Sequence, residues 1–261
     1  MGQVVIKTSA EIELMREGGK ILALVLRVLK DAVRPGVTTG ELNSLAEKLI
    51  AEHNSMPSFR NYCPSPGDTP FPTTLCASIN EEVVHAPALP SRVLKEGDII
   101  CLDLGLKYPS GKAGLFVDAA ITVGVGKISE EAEKIIRVTE ESLWAGIAKV
   151  KQGNFIHDIS KAVQNYAEKE GYSVVRDLTG HGVGRKVHEA PQIPNFFDAS
   201  WRPTPLLAGM TICIEPMVCV GGARVRTKDD EWTVVTADGK LSAHFEHTIL
   251  VTKEGYEVLT K

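Results

Sequence analysis

Apolar residues return at helical spacing from the start of the chain. After Thr8-Ser9-Ala10-Glu11, a capping-box sequence, Ile12, Met15, Leu22, Leu26, Leu29 and Val33 follow at intervals of three, four and seven. That spacing puts them on one face of a helix, which Arg34-Pro35-Gly36 stops. Thr38-Thr39-Gly40-Glu41 repeats the capping signal, with Leu42, Leu45 and Leu49 on one face of a second helix. Residues 57–72 hold Pro57, Pro64, Pro66, Pro70 and Pro72, too many for regular structure, which predicts a shaped loop. From 92 to 126 the pattern turns to strands, Ile99–Leu106 and Phe116–Val125, joined through the turn Tyr108-Pro109-Ser110-Gly111. Ser129 is expected to cap a helix running to about Val150, and Asp158 to open another ending at Gly171. Residues 172–261 read mostly as strands and loops.

Three pieces of this pattern occur twice, in the same order. Pro35-Gly36 before Glu41-Leu42 is echoed by Gln152-Gly153 before Asp158-Ile159. Gly97-Asp98-Ile99-Ile100-Cys101-Leu102-Asp103 is echoed by Gly209-Met210-Thr211-Ile212-Cys213-Ile214-Glu215. Asp118-Ala119-Ala120-Ile121-Thr122-Val123 is echoed by Glu246-His247-Thr248-Ile249-Leu250-Val251. Three echoes in order predict a duplicated α+β unit, with halves of about 1–126 and 127–261 inside a single domain, 1–261.

Composition narrows the class. The chain has 261 residues, 43% of them hydrophobic and 24% charged, which is the balance of a globular protein with a sizeable core. A net charge of −4 argues against a dedicated, sequence-specific nucleic-acid binder. Five scattered cysteines without a C-x-x-C pair speak against a disulfide framework or a zinc finger and suit a reducing cytoplasm. The apolar run Ile21–Leu26 is too short to span a bilayer and follows Glu11, Glu13 and Glu17, unlike a signal peptide. A soluble, cytoplasmic protein with no membrane partner is expected.

The echoes set carboxylates at matching strand positions, Asp103 with Glu215 and Asp118 with Glu246, each in an otherwise apolar run. A carboxylate in a buried strand is costly unless it is paired or binds a metal. Four brought to one axis would repel one another until protons or cations intervened. The stretch Gly180-His181-Gly182-Val183-Gly184-Arg185-Lys186-Val187-His188-Glu189-Ala190-Pro191 offers imidazoles among glycines. It reads either as a tight turn with two surface histidines or as a site in which glycines let the backbone approach a ligand. With the four acids, His181 supplies one nitrogen ligand for a pair of divalent cations; manganese, iron(II), cobalt or zinc would suit.

Together these residues resemble the type I methionine aminopeptidases, of pita-bread α+β fold, from Glu11 to Leu259. The motifs are Asn80-Glu81-Glu82-Val83-Val84-His85, Leu102-Asp103, Val117-Asp118, Gly180–Arg185, His188-Glu189-Ala190-Pro191, Ile214-Glu215-Pro216-Met217 and Phe245-Glu246-His247-Thr248. The resemblance implies two pseudo-twofold-related halves with a curved antiparallel sheet covered by helices. It implies Asp103, Asp118, His181, Glu215 and Glu246 as ligands of two divalent metal ions, Asp118 and Glu246 bridging. Glu215 would carry the proton between the attacking water and the leaving amine, and His85 and His188 would hydrogen-bond the substrate and the tetrahedral intermediate. Phe71, Cys76, Val187 and Trp232 are implied as walls of a methionine pocket. The substrate would be the N-terminal methionine of nascent chains followed by a small residue, cleaved by a monomer in transient contact with the ribosome.

The chain departs from that pattern at the Asp103–Asp118 gap, four residues longer than usual, for which Tyr108–Lys112 predicts a longer hairpin with unchanged ligand placement. It departs also at the proline-rich stretch 62–70 and at Cys101, where many members carry a polar residue. The amino-terminal zinc-binding extension and the long helical insertion of other forms are missing. An X-Pro-cleaving relative is expected to carry a large amino-terminal domain, for which there is no room. An inactive pita-bread binding module is expected to lose ligands that all stand here.

Overall fold

A computed structural model describes residues 4–261. Two helices, α1 (Ser9–Ala32) and α2 (Thr39–Glu52), start on the two capping boxes. Thr8 Oγ1 accepts the Glu11 N–H while the Glu11 carboxylate accepts the Thr8 N–H, and Thr38 and Glu41 do the same. After them come β1 (Met56–Pro57), β2 (Cys76–Ile79), β3 (Glu82–Val84), β4 (Ile99–Tyr108) and β5 (Leu115–Gly124). Helices α3 (Glu130–Ile147) and α4 (Ile156–Lys169) follow. The chain then runs through β6 (Ser173–Val174), β7 (Thr179–Gly182), β8 (Glu189–Pro194), β9 (Thr211–Ile214) and β10 (Met217–Cys219). It closes on β11 (Val225–Thr227), β12 (Val234–Thr236), β13 (Ser242–His244), β14 (Glu246–Val251) and β15 (Tyr256–Val258).

One boundary differs from expectation. Helix α4 begins at Ile156, not at Asp158, and its N-cap Phe155 offers no side-chain cap. Asp158 stands one turn in and accepts the Phe155 N–H at 2.8 Å, the carboxylate half of a capping box. An acid early in a helix therefore marked the first turn rather than the boundary.

The main sheet has nine strands, all pairs antiparallel, in the order β1-β4-β5-β14-β9-β7-β8, with β2 on β4 and β15 on β14. Strand alternation assigns its two faces. On β4, Leu102, Leu104 and Leu106 join α1 residues Met15, Leu22 and Leu29 in one core cluster, leaving Asp103 and Gly105 on the other face. On β9 and β14, Ile212, Ile214, Ile249 and Val251 pack with α3 and α4 residues such as Ile147 and Val163 in a second cluster. Glu246 and Thr248 alternate with those apolar residues and so take the opposite face. The helices thus cover one face of the sheet, and the acids share the other. Two small sheets, β13-β10-β6 and β11-β12-β3, flank it. Pairing of β12 with β3 brings the segments carrying Trp232 and His85 together.

Candidate metal centre

Register gathers the acids. Asp103 on β4 and Glu246 on β14 both stand opposite Ala120 of β5, one from each side, and Asp118 lies two residues from Ala120 on the same face. The β14–β9 ladder pairs His247 with Ile214, so its next rung sets Glu246 against Glu215. Thr248 Oγ1 accepts the Asp118 N–H at 2.9 Å and donates to the Asp118 carbonyl at 2.8 Å, tying β14 to β5 at the acid position. The lengthened β4–β5 hairpin leaves this untouched: its ten-rung ladder carries the extra residues beyond Tyr108, away from Asp103 and Asp118.

All four acids and His181 line one cavity of about 250 Å³. One carboxylate oxygen each from Asp103, Asp118 and Glu246 lie within 4.8 Å of one another. These side chains are 3–6% exposed. Asp103 Oδ1, Asp118 Oδ1, Glu215 Oε1 and Glu246 Oε1 have no hydrogen-bond partner among the described residues. Burial pushes the Asp103 carboxyl up to about 7. Asp118, Glu215 and Glu246 are driven well above the usual carboxylate range, first by burial and then by one another's charge. Buried anionic oxygens without donors call for cations.

His181 fits the same need. Its Nδ1 lies 2.9 Å from the Gly182 carbonyl, which can only accept, so Nδ1 carries the proton and Nε2 is bare. Burial lowers its pKa to about 3, so the ring is neutral. Nε2 stands 3.3 Å from Glu215 Oε1. A neutral nitrogen and four acids, each with an unsatisfied atom, form a donor set for divalent cations, the imidazole oriented by its backbone partner.

The profile of metallopeptidase family M24 matches residues 13–253. A methionine aminopeptidase of Clostridium perfringens is 51% identical over 258 residues, 98% of each chain. The chain belongs to family M24, among its methionine aminopeptidases. The crystal structure of the methionine aminopeptidase from Thermotoga maritima superposes with a TM-score of 0.92 at 42% identity, over 99% of this chain and 100% of that one. A prolidase from Pyrococcus horikoshii shares the fold at 21% identity and a TM-score of 0.76, this chain covering 63% of its length. The fold of this M24 chain is therefore the pita-bread α+β fold, and membership implies divalent metal ions.

The remaining residues singled out in the sequence divide. His85, His188, Phe71, Cys76 and Trp232 line the cavity of the M24 chain. Phe71 and Trp232 meet edge to face at 5.1 Å, making one apolar wall, and Cys76 stands across from Asp103. His85 is held at φ +59, a strained backbone for a histidine, and burial lowers its pKa to about 4. His188 lies ring against ring with His181, centroids 4.3 Å apart. Val187 is buried, 6% exposed, and is not among the residues that line this cavity.

The glycines have a packing role in the sheet. A Cβ on Gly180 would strike the Cys213 carbonyl, and one on Gly182 the Ala190 carbonyl. They let β9 and β8 close on β7 around His181. Residues the sequence reading did not single out also take part. Phe59, Tyr62 and Pro64 of the proline-rich loop line the cavity. His244, 1% exposed, places Nε2 3.8 Å from Glu215 Oε2 while its Nδ1 meets Cys101 Sγ at 3.7 Å. A signal for His244 was present: it lies two residues before Glu246 in an extended run, hence toward the same side.

Proposed function

We propose that this protein is a metal-dependent aminopeptidase that removes N-terminal methionine when the next residue is small. One observation carries the reading: four acids and a bare imidazole nitrogen converge beside an apolar wall in one cavity of about 250 Å³. Asp103, Asp118, His181, Glu215 and Glu246 would hold two divalent cations, with Asp118 and Glu246 suited by their central position to serve both. Bound cations would supply Lewis acidity and a hydroxide nucleophile at neutral pH.

The chain's own side chains do the rest. Phe71, Trp232 and Cys76 offer the soft, polarizable and aromatic surroundings that a thioether side chain prefers. Glu215 takes the proton from the attacking water and returns it to the leaving amine. His85 and His188 hydrogen-bond the scissile carbonyl as charge grows on its oxygen. A bound cation would also offer a place for the free α-amine of a peptide, which would restrict cleavage to the first bond. The physiological metal is drawn from manganese, iron(II), cobalt and zinc, given the oxygen-rich donor set. A cytoplasmic monomer acting on nascent chains, with transient ribosome contact, suits this substrate, and residues 1–261 then form one catalytic unit of two related halves.

The test is cleavage of Met-Ala-Ser and of Xaa-Pro peptides by protein stripped of metal and reloaded with each of the four ions. Methionine release from Met-Ala-Ser that requires added metal is expected. Faster cleavage of Xaa-Pro peptides, or none by any loaded form, would overturn the proposal.

A further inference from the structure

His188 is the last residue before β8 and is itself exposed, although its ring lines the cavity. The segment between β7 and β8 is irregular, and its neighbours Arg185 and Lys186 are exposed. The second side-chain torsion of histidine is broad and roughly two-fold, so an unheld ring can turn over and exchange Nδ1 for Nε2. Packing against the His181 ring does not select a nitrogen, but one hydrogen bond does: the Tyr62 hydroxyl lies 2.7 Å from His188 Nδ1, with the rings edge to face at 5.2 Å.

Tyr62 is itself fixed at the base of the proline-rich loop rather than on its exposed tip. The Asn61 N–H donates to the Phe71 carbonyl at 2.8 Å, and the Phe71 N–H donates to the Tyr62 carbonyl at 2.9 Å. The Tyr62 N–H donates to the Phe59 carbonyl at 2.8 Å. Phe71, which closes the loop, is seated against Trp232. A phenol is a strong donor and a weak acceptor, whereas an unprotonated imidazole nitrogen is a strong acceptor. The hydroxyl therefore donates to Nδ1, which leaves the proton on Nε2, the nitrogen free to serve the cavity that His188 lines.

We propose that Tyr62 is a positioning residue, which holds the His188 ring so that its Nε2–H is presented to the scissile carbonyl. The inference rests on the aminopeptidase reading and deepens it. It assigns the proline-rich loop a part in orienting a reacting-site group, through a hydroxyl that phenylalanine cannot replace.

The experiment uses Tyr62→Phe, which removes one oxygen from a half-buried side chain and leaves the core alone. On Met-Ala-Ser with the metal-loaded enzyme, kcat is expected to fall roughly tenfold, the worth of one neutral hydrogen bond, with KM changed by less than about twofold. A second readout is independent of turnover: nitrogen NMR of zinc-loaded protein labelled with ¹⁵N-histidine, with His188 assigned by its loss in His188→Gln. Wild type should show an unprotonated, hydrogen-bonded Nδ1 and a protonated Nε2. In Tyr62→Phe the Nδ1 resonance should move to that of a free acceptor. A protonated Nδ1 in wild type, an unmoved Nδ1 in the variant, or a variant kcat equal to wild type would each overturn the inference. A wild type that shows the expected nitrogens but cleaves nothing would overturn the aminopeptidase reading instead.

Discussion

In the proposed mechanism Glu215 would carry more chemistry than any other side chain in the cavity, and its two roles can be separated. As a proton carrier its loss should be severe: Glu215→Gln is expected to lower kcat on Met-Ala-Ser by roughly 10²–10⁴-fold. As one of four mutually repelling acids in the metal-free protein, its neutralisation should not weaken the fold. The metal-free variant should melt at or above the wild-type temperature, and a lower melting temperature would contradict the charge argument. Far from the cavity, Glu11 caps α1 and also holds Arg185 of the glycine-rich stretch, Nε to Oε1 at 2.7 Å. Its hydrogen bond to the Arg185 guanidinium is the main reason its pKa falls from the usual 4.5 to about 2. A depressed carboxylate contributes stability that is present above its ordinary pKa and lost as pH falls through the folded value. Wild type should therefore lose stability between about 4.5 and 2. Glu11→Gln should be less stable at neutral pH and show a flatter melting profile through that window.

At the scale of elements, the strands are matched to the cations they would hold by what one residue leaves out. Gly105 stands opposite Asp118 in the β4–β5 ladder. A Cβ there would overlap Ser58 Oγ and lie 3.1 Å from both Asp118 Oδ1 and Phe59 Cε1. The Ser58 N–H donates to the Gly105 carbonyl at 3.1 Å, so Ser58 cannot simply retreat. Gly105→Ala should push the Asp118 carboxylate off its position and weaken manganese binding by roughly tenfold, within the range seen when the partners of metal ligands are disturbed. Calorimetric titration of the metal-free variant would measure it, and wild-type affinity would refute the steric argument. Helices α1 and α2 and the β4–β5 pair were readable as elements because capping residues and apolar periodicity are local signals. The start of α4 was not, because Asp158 acts by reaching back to Phe155 rather than by capping in place.

For the whole molecule, four carboxylates sit across β4-β5-β14-β9 on one sheet face, with no lysine or arginine among the described residues that line the cavity. Folding without metal must bury that repulsion, and binding removes it. Ions that bind only the folded chain stabilise it by about 2.7 kcal/mol at a hundredfold excess over Kd. Thermal melting of metal-free protein should therefore shift upward by several degrees when manganese or cobalt is added, and a chelator should reverse the shift. No change with any of the four ions would remove the metal centre from the account. Among the described residues no helix is long and apolar enough to cross a membrane, and all five cysteines are free.

The sequence alone determined the elements and the chemical types. Period-3.6 and period-2 apolar spacing, capping boxes and turn residues act over a few positions, so they survive in a one-dimensional record. The echo that paired Asp103 with Glu215 and Asp118 with Glu246 singled out the acids because charged residues in apolar strands stand out wherever they occur. Tertiary structure decided what those elements bring together. Asp103 and Glu246 meet only because both register on Ala120 from opposite sides of β5. Tyr62 reaches His188 across 126 residues, while Val187, one residue from His188, stays out of the cavity. Side-chain direction is written locally, but distance between remote side chains depends on strand register and loop path. Those are settled by packing the whole chain at once, which no local pattern records.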